Sequence, residues 1–453
     1  MSASETTARP PLFDLATPDG REGFERRLQR LADSAAKTSD ADQRFAQAAA
    51  ENVRAVRERG DDAIVELERR WTNPDFTVDM IRVGPEECAT ALDQLDRELR
   101  AALQRSIEHV TTYQQHVMPS DTDPVRIGDA ELGLRWTPVD SAGCLVPGGS
   151  AVLFSTLIML GVPAVVAGVP REKIAAVNPA PYRKEGDPPR DLSPIFKAAC
   201  AMLEIGNVYR IGGAQAVAAL AFGTETVQRV DMIAGPGHPV VQHAKALVAG
   251  ATGTDNGFYG PSEIVTLADE SADPKRVAAD LLAQAEHDPG KCFLVCWDDA
   301  VAEAILKQLD KQLPQRSRKD AIVDALRNES CVVLTDAYDT ACDVANRLAT
   351  EHLNLAVADP GATLQHIRHA GEAFLGDATP VAAGDYYAGP SHCLPTGTTA
   401  RFTSGVSVYT FMKRTGTVAY PDGMSEETIA DIARLAEAEG LDAHAASARV
   451  RGA

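Results

Sequence analysis

Lys173-Ile-Ala-Ala-Val177 is a short apolar run; Val208-Tyr-Arg-Ile211 and Met232-Ile233 follow it, Ala164-Val-Val-Ala-Gly168 precedes it, and helical patterns lie between. Strands that alternate with helices predict a parallel sheet covered on both faces. The same rhythm resumes after Pro261 in Ile264-Val-Thr-Leu267, Cys292-Phe-Leu-Val-Cys296, Cys331-Val-Val-Leu334 and Leu355-Ala-Val357, which predicts a second α/β unit built from both sides of the first. The expected partition is a helical segment over 1–39, one α/β domain from 40–142 with 263–406, a Rossmann-like domain over 143–262 and a C-terminal tail over 407–453.

Around these units the chain is helical. Residues 20 to 70 carry helical patterning, and Arg59-Gly60-Asp61-Asp62 supplies a stop and then a new cap. A further helical stretch spans Pro85 to His116, and Met118-Pro-Ser-Asp-Thr-Asp-Pro124 reads as a linker. The Pro-rich stretch from Pro179 to Asp191 predicts a surface loop, and Ser425 to Ala448 predicts helix on each side of Gly440.

At 453 residues the chain is long enough for two or more domains with cores of their own. A formal charge of −20 argues against nucleic acid or an anionic membrane as a partner, since both demand a basic surface. The longest apolar stretch, Leu153 to Pro170, is broken by Ser155, Thr156, Gly161 and Pro163, too short for a membrane span. Eight scattered cysteines form neither a zinc knuckle nor a disulfide framework, and Met1-Ser-Ala-Ser-Glu-Thr-Thr has no secretory pattern, so a reducing cytoplasm is expected.

Three segments concentrate groups able to bind metal or move protons. In Asp280-Leu-Leu-Ala-Gln284-Ala-Glu-His287 the spacing puts Gln284 and His287 on one helical face, where they can converge on an ion, although capping or solvation would satisfy them equally. In Thr350-Glu351-His352-Leu353 a carboxylate adjoins an imidazole, a pair that can move protons near neutral pH. Gly384-Asp385 and His392 sit in Gly/Pro turns, where Asp385 is a candidate metal oxygen. Gly143-Cys-Leu-Val-Pro-Gly-Gly-Ser150, Ile211-Gly-Gly-Ala-Gln215 and Ala234-Gly-Pro-Gly-His238 are Gly-rich strand ends that could line a crevice at the carboxyl edge of one sheet. Glu439-Gly-Leu-Asp-Ala-His444 by itself reads as a terminal turn.

Taken in order, Val146-Pro-Gly-Gly-Ser-Ala, Leu153-Phe-Ser-Thr, Gly212-Gly-Ala-Gln-Ala, Gly260-Pro-Ser-Glu-Ile, Gln284-Ala-Glu-His, Glu351-His-Leu, Gly384-Asp-Tyr and His392-Cys-Leu-Pro-Thr resemble the zinc- and NAD-dependent histidinol dehydrogenase family. The resemblance runs from about Arg59 to His444. It implies an intertwined homodimer of incomplete Rossmann-like domains in which a partner's tail completes each site. It further implies that Gln284, His287, Asp385 and His444 hold Zn2+, that Ser262, His352, His392 and Glu439 touch a small-molecule substrate along with the metal ligands, and that Glu351 and His352 do the proton chemistry. Leu145, Gln215 and His238 stand where the family contacts NAD+. The implied reaction takes an alcohol through an aldehyde to a carboxylate with two NAD+.

The sequence departs from the family pattern at three points. Leu145 replaces an aromatic, His238 an Asn, and Val381, four residues before Asp385, a Glu. The last keeps open another polar alcohol, such as a sulfonated propanediol, as substrate. A metallohydrolase or a non-catalytic binding protein of the same fold are the readings from other classes.

Overall fold

The computed structural model describes residues 9–36, 39–148, 153–188, 190–255, 257–287 and 290–452. The middle of the Gly-rich turn, 149–152, and Asp288-Pro289 after the Gln284 helix lie outside them.

Two six-stranded sheets carry the molecule. The first runs Arg82–Val83, Asn207–Tyr209, Ile174–Val177, Ala142–Leu145, Met232–Ala234, Gly253–Thr254, parallel except for Arg82–Val83 at its edge. The second runs Leu12–Asp14, Cys331–Leu334, Lys291–Cys296, Glu263–Ala268, His352–Ala356, Glu372–Leu375 and is parallel throughout. In each sheet the chain steps outward from a central strand, Ala142–Leu145 or Glu263–Ala268, and then returns to that strand's other side. This reversal is the doubly wound topology, and it opens a crevice where the order switches. Every residue of Glu263–Ala268 and Lys291–Cys296 is buried, as strands covered on both faces require.

The expected partition needs correcting. Residues 40–93 go with the first sheet: the helix Asp40–Arg59 packs on Gly213–Phe222 and Pro239–Val248, Pro85–Asp93 packs on Pro194–Met202, and Arg82–Val83 extends that sheet, while the helix Arg97–His116 packs on Phe154–Ala167 and also touches Tyr386 and Gly389. The N-terminal strand that completes the second sheet is Leu12–Asp14, inside the segment expected to be only helical. Three residues are too few for an alternation to register. Ala164-Val-Val-Ala-Gly168, expected as a strand, is the end of the helix Phe154–Ala167, whose nearly complete burial removes the polar face that marks a helix. A three-stranded antiparallel sheet, Met412–Ala419, Ala130–Pro138 and Val125–Ile127, joins the tail to the segment that follows the linker Met118–Pro124.

Other boundaries follow the sequence. Gly60, at φ 55°, ends Asp40–Arg59 and starts Asp61–Trp71, a left-handed hinge that favours glycine. Ser425 caps Glu426–Ala438, and Asp442–Arg449 follows Gly440. Among the described residues no helix is long and apolar enough to cross a membrane.

Candidate active site

The carboxyl ends of the first sheet and the amino ends of the second face one another. At the first, Leu145 to Gly148, Val177, Ile211 to Gly213 and Pro236 to His238 line a crevice, the one expected from the three Gly-rich strand ends. Gly148 and Gly212 both lie against Pro179, where a Cβ would stand 2.7 and 2.6 Å from its ring. Asn178 closes the floor by donating to the carbonyls of Val146 and Pro147, both at 3.1 Å. His238 caps the helix Pro239–Val248 through Nδ1. Gln215 does not reach the crevice. Its amide donates to Glu68 Oε1 at 2.9 Å, and the same oxygen accepts the Gly212 N–H at 3.1 Å. Glu68 is fully buried and comes from a helix some 140 residues earlier in the chain, so Gln215 alone could not reveal this partner.

Between the sheets a cleft of ≈ 320 Å³ is lined by Pro147, Gly148, Thr156 and Pro236 on one side and by Ser262, His287, Glu351, Asp385 and His392 on the other. Ser262 immediately precedes the central strand Glu263–Ala268, and Glu351 precedes its neighbour His352–Ala356, so parallel pairing brings the two loops together. Gln284 closes the helix Pro274–Ala285, and His287 lies just past its end rather than within it. Asp385 sits on the short helix Val381–Tyr386.

These elements build one unbroken hydrogen-bond chain. Ser262 Oγ donates to Glu351 Oε2 at 2.5 Å and accepts from Gln284 Nε2 at 2.5 Å, and Gln284 Oε1 lies 3.0 Å from His352 Nδ1. Since the amide oxygen only accepts, Nδ1 carries the proton. His352 Nε2 is then a bare lone pair, buried and without a partner in the protein. Burial, with His287 and His392 nearby, pushes the His352 imidazole down to about 3, so it stays neutral. Glu351 also accepts the Glu263 N–H at 2.9 Å; burial drives its carboxyl well above the usual range despite these bonds, and Asp385 and Glu263 add to the rise.

His392 is fixed from both ends. Nδ1 lies 2.9 Å from the Asp385 carbonyl, which requires an N–H, and Nε2 lies 3.1 Å from the Thr156 hydroxyl, which donates to it. Burial lowers this imidazole to about 4. Thr156 was passed over in sequence as part of an apolar run; its hydroxyl becomes visible only when the two domains meet.

Gln284, His287 and Asp385 fit a divalent metal chemically. Burial lowers the His287 imidazole and so keeps it neutral, it raises the Asp385 carboxyl to about 6, and a Gln284 carbonyl oxygen that accepts from His352 retains a second lone pair. Among the described residues no three His, Cys, Asp or Glu converge to hold a metal ion. Glu439 and His444 are exposed on the tail and do not line this cleft.

Val381 does not line it either. It is buried in the apolar cluster that includes Phe374, Leu281 and Ala285, beneath the cleft. A carboxylate that sequence reading missed, Glu372, lies nearby. A Cβ on Gly384 would stand 2.8 Å from its Oε2, which is buried and unpartnered. Burial, with Asp385 next, raises its carboxyl from 4.5 to about 7. A raised folded-state value means the stability it contributes is present below about pH 4.5 and is lost as pH rises through about 7. Glu372→Gln in metal-free protein should therefore match the parent at pH 4 and exceed it by ~2–3 kcal/mol above pH 7. Denaturant unfolding at the two pH values checks this; a pH-independent difference would contradict it.

With this geometry in view, the model of the family described as histidinol dehydrogenase matches residues 35–452. The chain belongs to the histidinol dehydrogenase family. It is 39% identical over 453 residues to histidinol dehydrogenase from Parasynechococcus marenigrum, covering 100% of both chains. It is 41% identical over 401 residues to histidinol dehydrogenase from Ruegeria pomeroyi, covering 87% of this chain and 89% of that one. The crystal structure of histidinol dehydrogenase from Elizabethkingia anophelis superposes with a TM-score of 0.86 at 29% identity, over 98% of each chain.

Proposed function

We infer that this chain oxidises L-histidinol through L-histidinal to L-histidine at the expense of two NAD+. The observation that carries the reading is the chain Glu351–Ser262–Gln284–His352, which joins a buried carboxylate and a buried neutral imidazole behind one cleft. The family supplies the substrate and cofactor classes.

Gln284, His287 and Asp385, with His444 from a second copy, would hold Zn2+, whose chemistry is to fix an amino-imidazole substrate by its nitrogens and polarise its oxygen. The crevice of Leu145, Gly212, Gly237 and His238 would take NAD+. In the first oxidation His352 Nε2 removes the hydroxyl proton as the carbinol carbon gives up a hydride, leaving the aldehyde and one NADH. In the second, Glu351 removes a proton from water as the water oxygen bonds to the aldehyde carbon. The hydrate anion then gives up a second hydride to the second NAD+, and the carboxylic acid so formed releases its proton to solvent as the carboxylate. Ser262 and Gln284 keep both groups oriented, His352 stays in one tautomer, and Thr156 with the Asp385 carbonyl holds His392 as a neutral contact for substrate. A cation and a substrate ammonium beside Glu351 would oppose the burial that raises its carboxyl, restoring the base.

A homodimer follows from the same reading: Glu439 and His444 stay away from their own cleft, and a tail reaching across would complete the site. Val381 in the core offers no wall that would favour a different alcohol. NAD+ reduction that depends on L-histidinol tests the function. Reduction with a sulfonated propanediol and not with histidinol would replace the substrate.

A further inference from the structure

Asp280 opens the segment that also carries Gln284 and His287, yet it touches nothing in the cleft. It is buried, at 7% exposure. Its Oδ2 accepts from Asn354 Nδ2 at 3.1 Å, and the backbone N–H of Val381, the first residue of the helix Val381–Tyr386, faces the same carboxylate. One side chain thus joins three elements: the helix Pro274–Ala285, the strand His352–Ala356 and the helix Val381–Tyr386.

Each joined position is one structural repeat from a site residue. Asp280 and Gln284 are four apart on a helix, Val381 and Asp385 are four apart on another, and Asn354 and His352 are two apart on a strand, so each pair shares a face. The Gln284–His352 contact at 3.0 Å is the same helix-to-strand link one layer nearer the cleft. A further tie holds the segment before Val381 to the same helix, where Asp377 accepts the Asp273 N–H at 2.6 Å.

We propose that Asp280, with Asn354, is a positioning residue that sets the mutual register of Gln284, His352 and Asp385 and thereby the metal affinity of the site. The inference rests on the proposed ligand set. Its neighbours explain why a carboxylate is used: two N–H donors from different elements converge on it, and an amide at 280 would turn its own N–H2 toward one of them.

The test is zinc affinity, measured by competition against a chelator, in the full-length parent, Asp280→Asn and the swap Asp280→Asn/Asn354→Asp. Asp280→Asn should weaken zinc binding by about tenfold to a hundredfold. Its affinity for NAD+, bound at the other sheet, should stay within about twofold of the parent. The swap restores one acceptor facing one amide and should recover most of the zinc affinity. A purely structural role would lower the unfolding temperature and leave both affinities of the folded protein alone. A parent that binds no zinc defeats the ligand set, and this inference with it. A parent that binds zinc beside a folded Asp280→Asn that binds it equally well defeats the inference alone. If Asp280→Asn does not fold, the swap decides: near-parental zinc affinity in a folded swap supports the pairing, and a loss of about tenfold or more overturns it.

Discussion

Glu351→Gln is expected to slow oxidation of L-histidinal by about 10²–10⁴-fold and to slow oxidation of L-histidinol to the aldehyde far less. The side chain keeps its shape, and its oxygen can still accept from Ser262 Oγ and the Glu263 N–H, so the hydrogen-bond chain survives in outline. What disappears is the carboxylate that takes a proton from water. The first oxidation draws on His352 Nε2, which the substitution leaves in place. Single-turnover measurements started from the alcohol and from the aldehyde separate the two steps. Equal losses in both would remove the assigned role.

His287→Ala should abolish stoichiometric zinc binding and lower turnover by more than about 10²-fold, above the range seen when only a supporting residue is lost. Its position just beyond the helix Pro274–Ala285 places it in the cleft with Asp385, and burial holds it in the neutral form a metal requires. Folding should survive, because the imidazole belongs to the cleft lining and not to the apolar clusters of the core. Metal analysis of the purified variant is the check. One zinc per chain in His287→Ala would show that the ligand set is wrong.

The α/β alternation was legible in strands such as Ile174–Val177 and Cys331–Leu334 because each is a short apolar run set off by a polar stretch, Arg171-Glu-Lys173 or Asn328-Glu-Ser330. The helix break at Gly60 and the helices around Gly440 were legible because their signals are local, although the expected new cap after Gly60 does not form and the Asp61 carboxylate accepts from Thr224 and Thr226 instead. The assignment of 40–142 was not, since packing of Asp40–Arg59 on the first sheet depends on surfaces about two hundred residues away in sequence. Phe154–Ala167 shows the related failure of pattern: when every side of a helix is buried, its period vanishes.

At the site the same division holds. Glu351, His352, Gln284 and Asp385 announce themselves by residue type, but the link from Glu351 to Ser262 spans 89 positions and that from His352 to Gln284 spans 68. Sequence named the groups and not the chain that joins them. Glu372 was hidden at the head of an apolar strand, and Gln215 was drawn away by a buried Glu68 that no local pattern announces.

One cleft is expected to perform both oxidations without releasing the aldehyde. With zinc-loaded protein, excess NAD+ and a limiting amount of L-histidinol, NADH absorbance at 340 nm should reach two equivalents per histidinol consumed, with histidine as the product. One equivalent, with free histidinal accumulating, would contradict it.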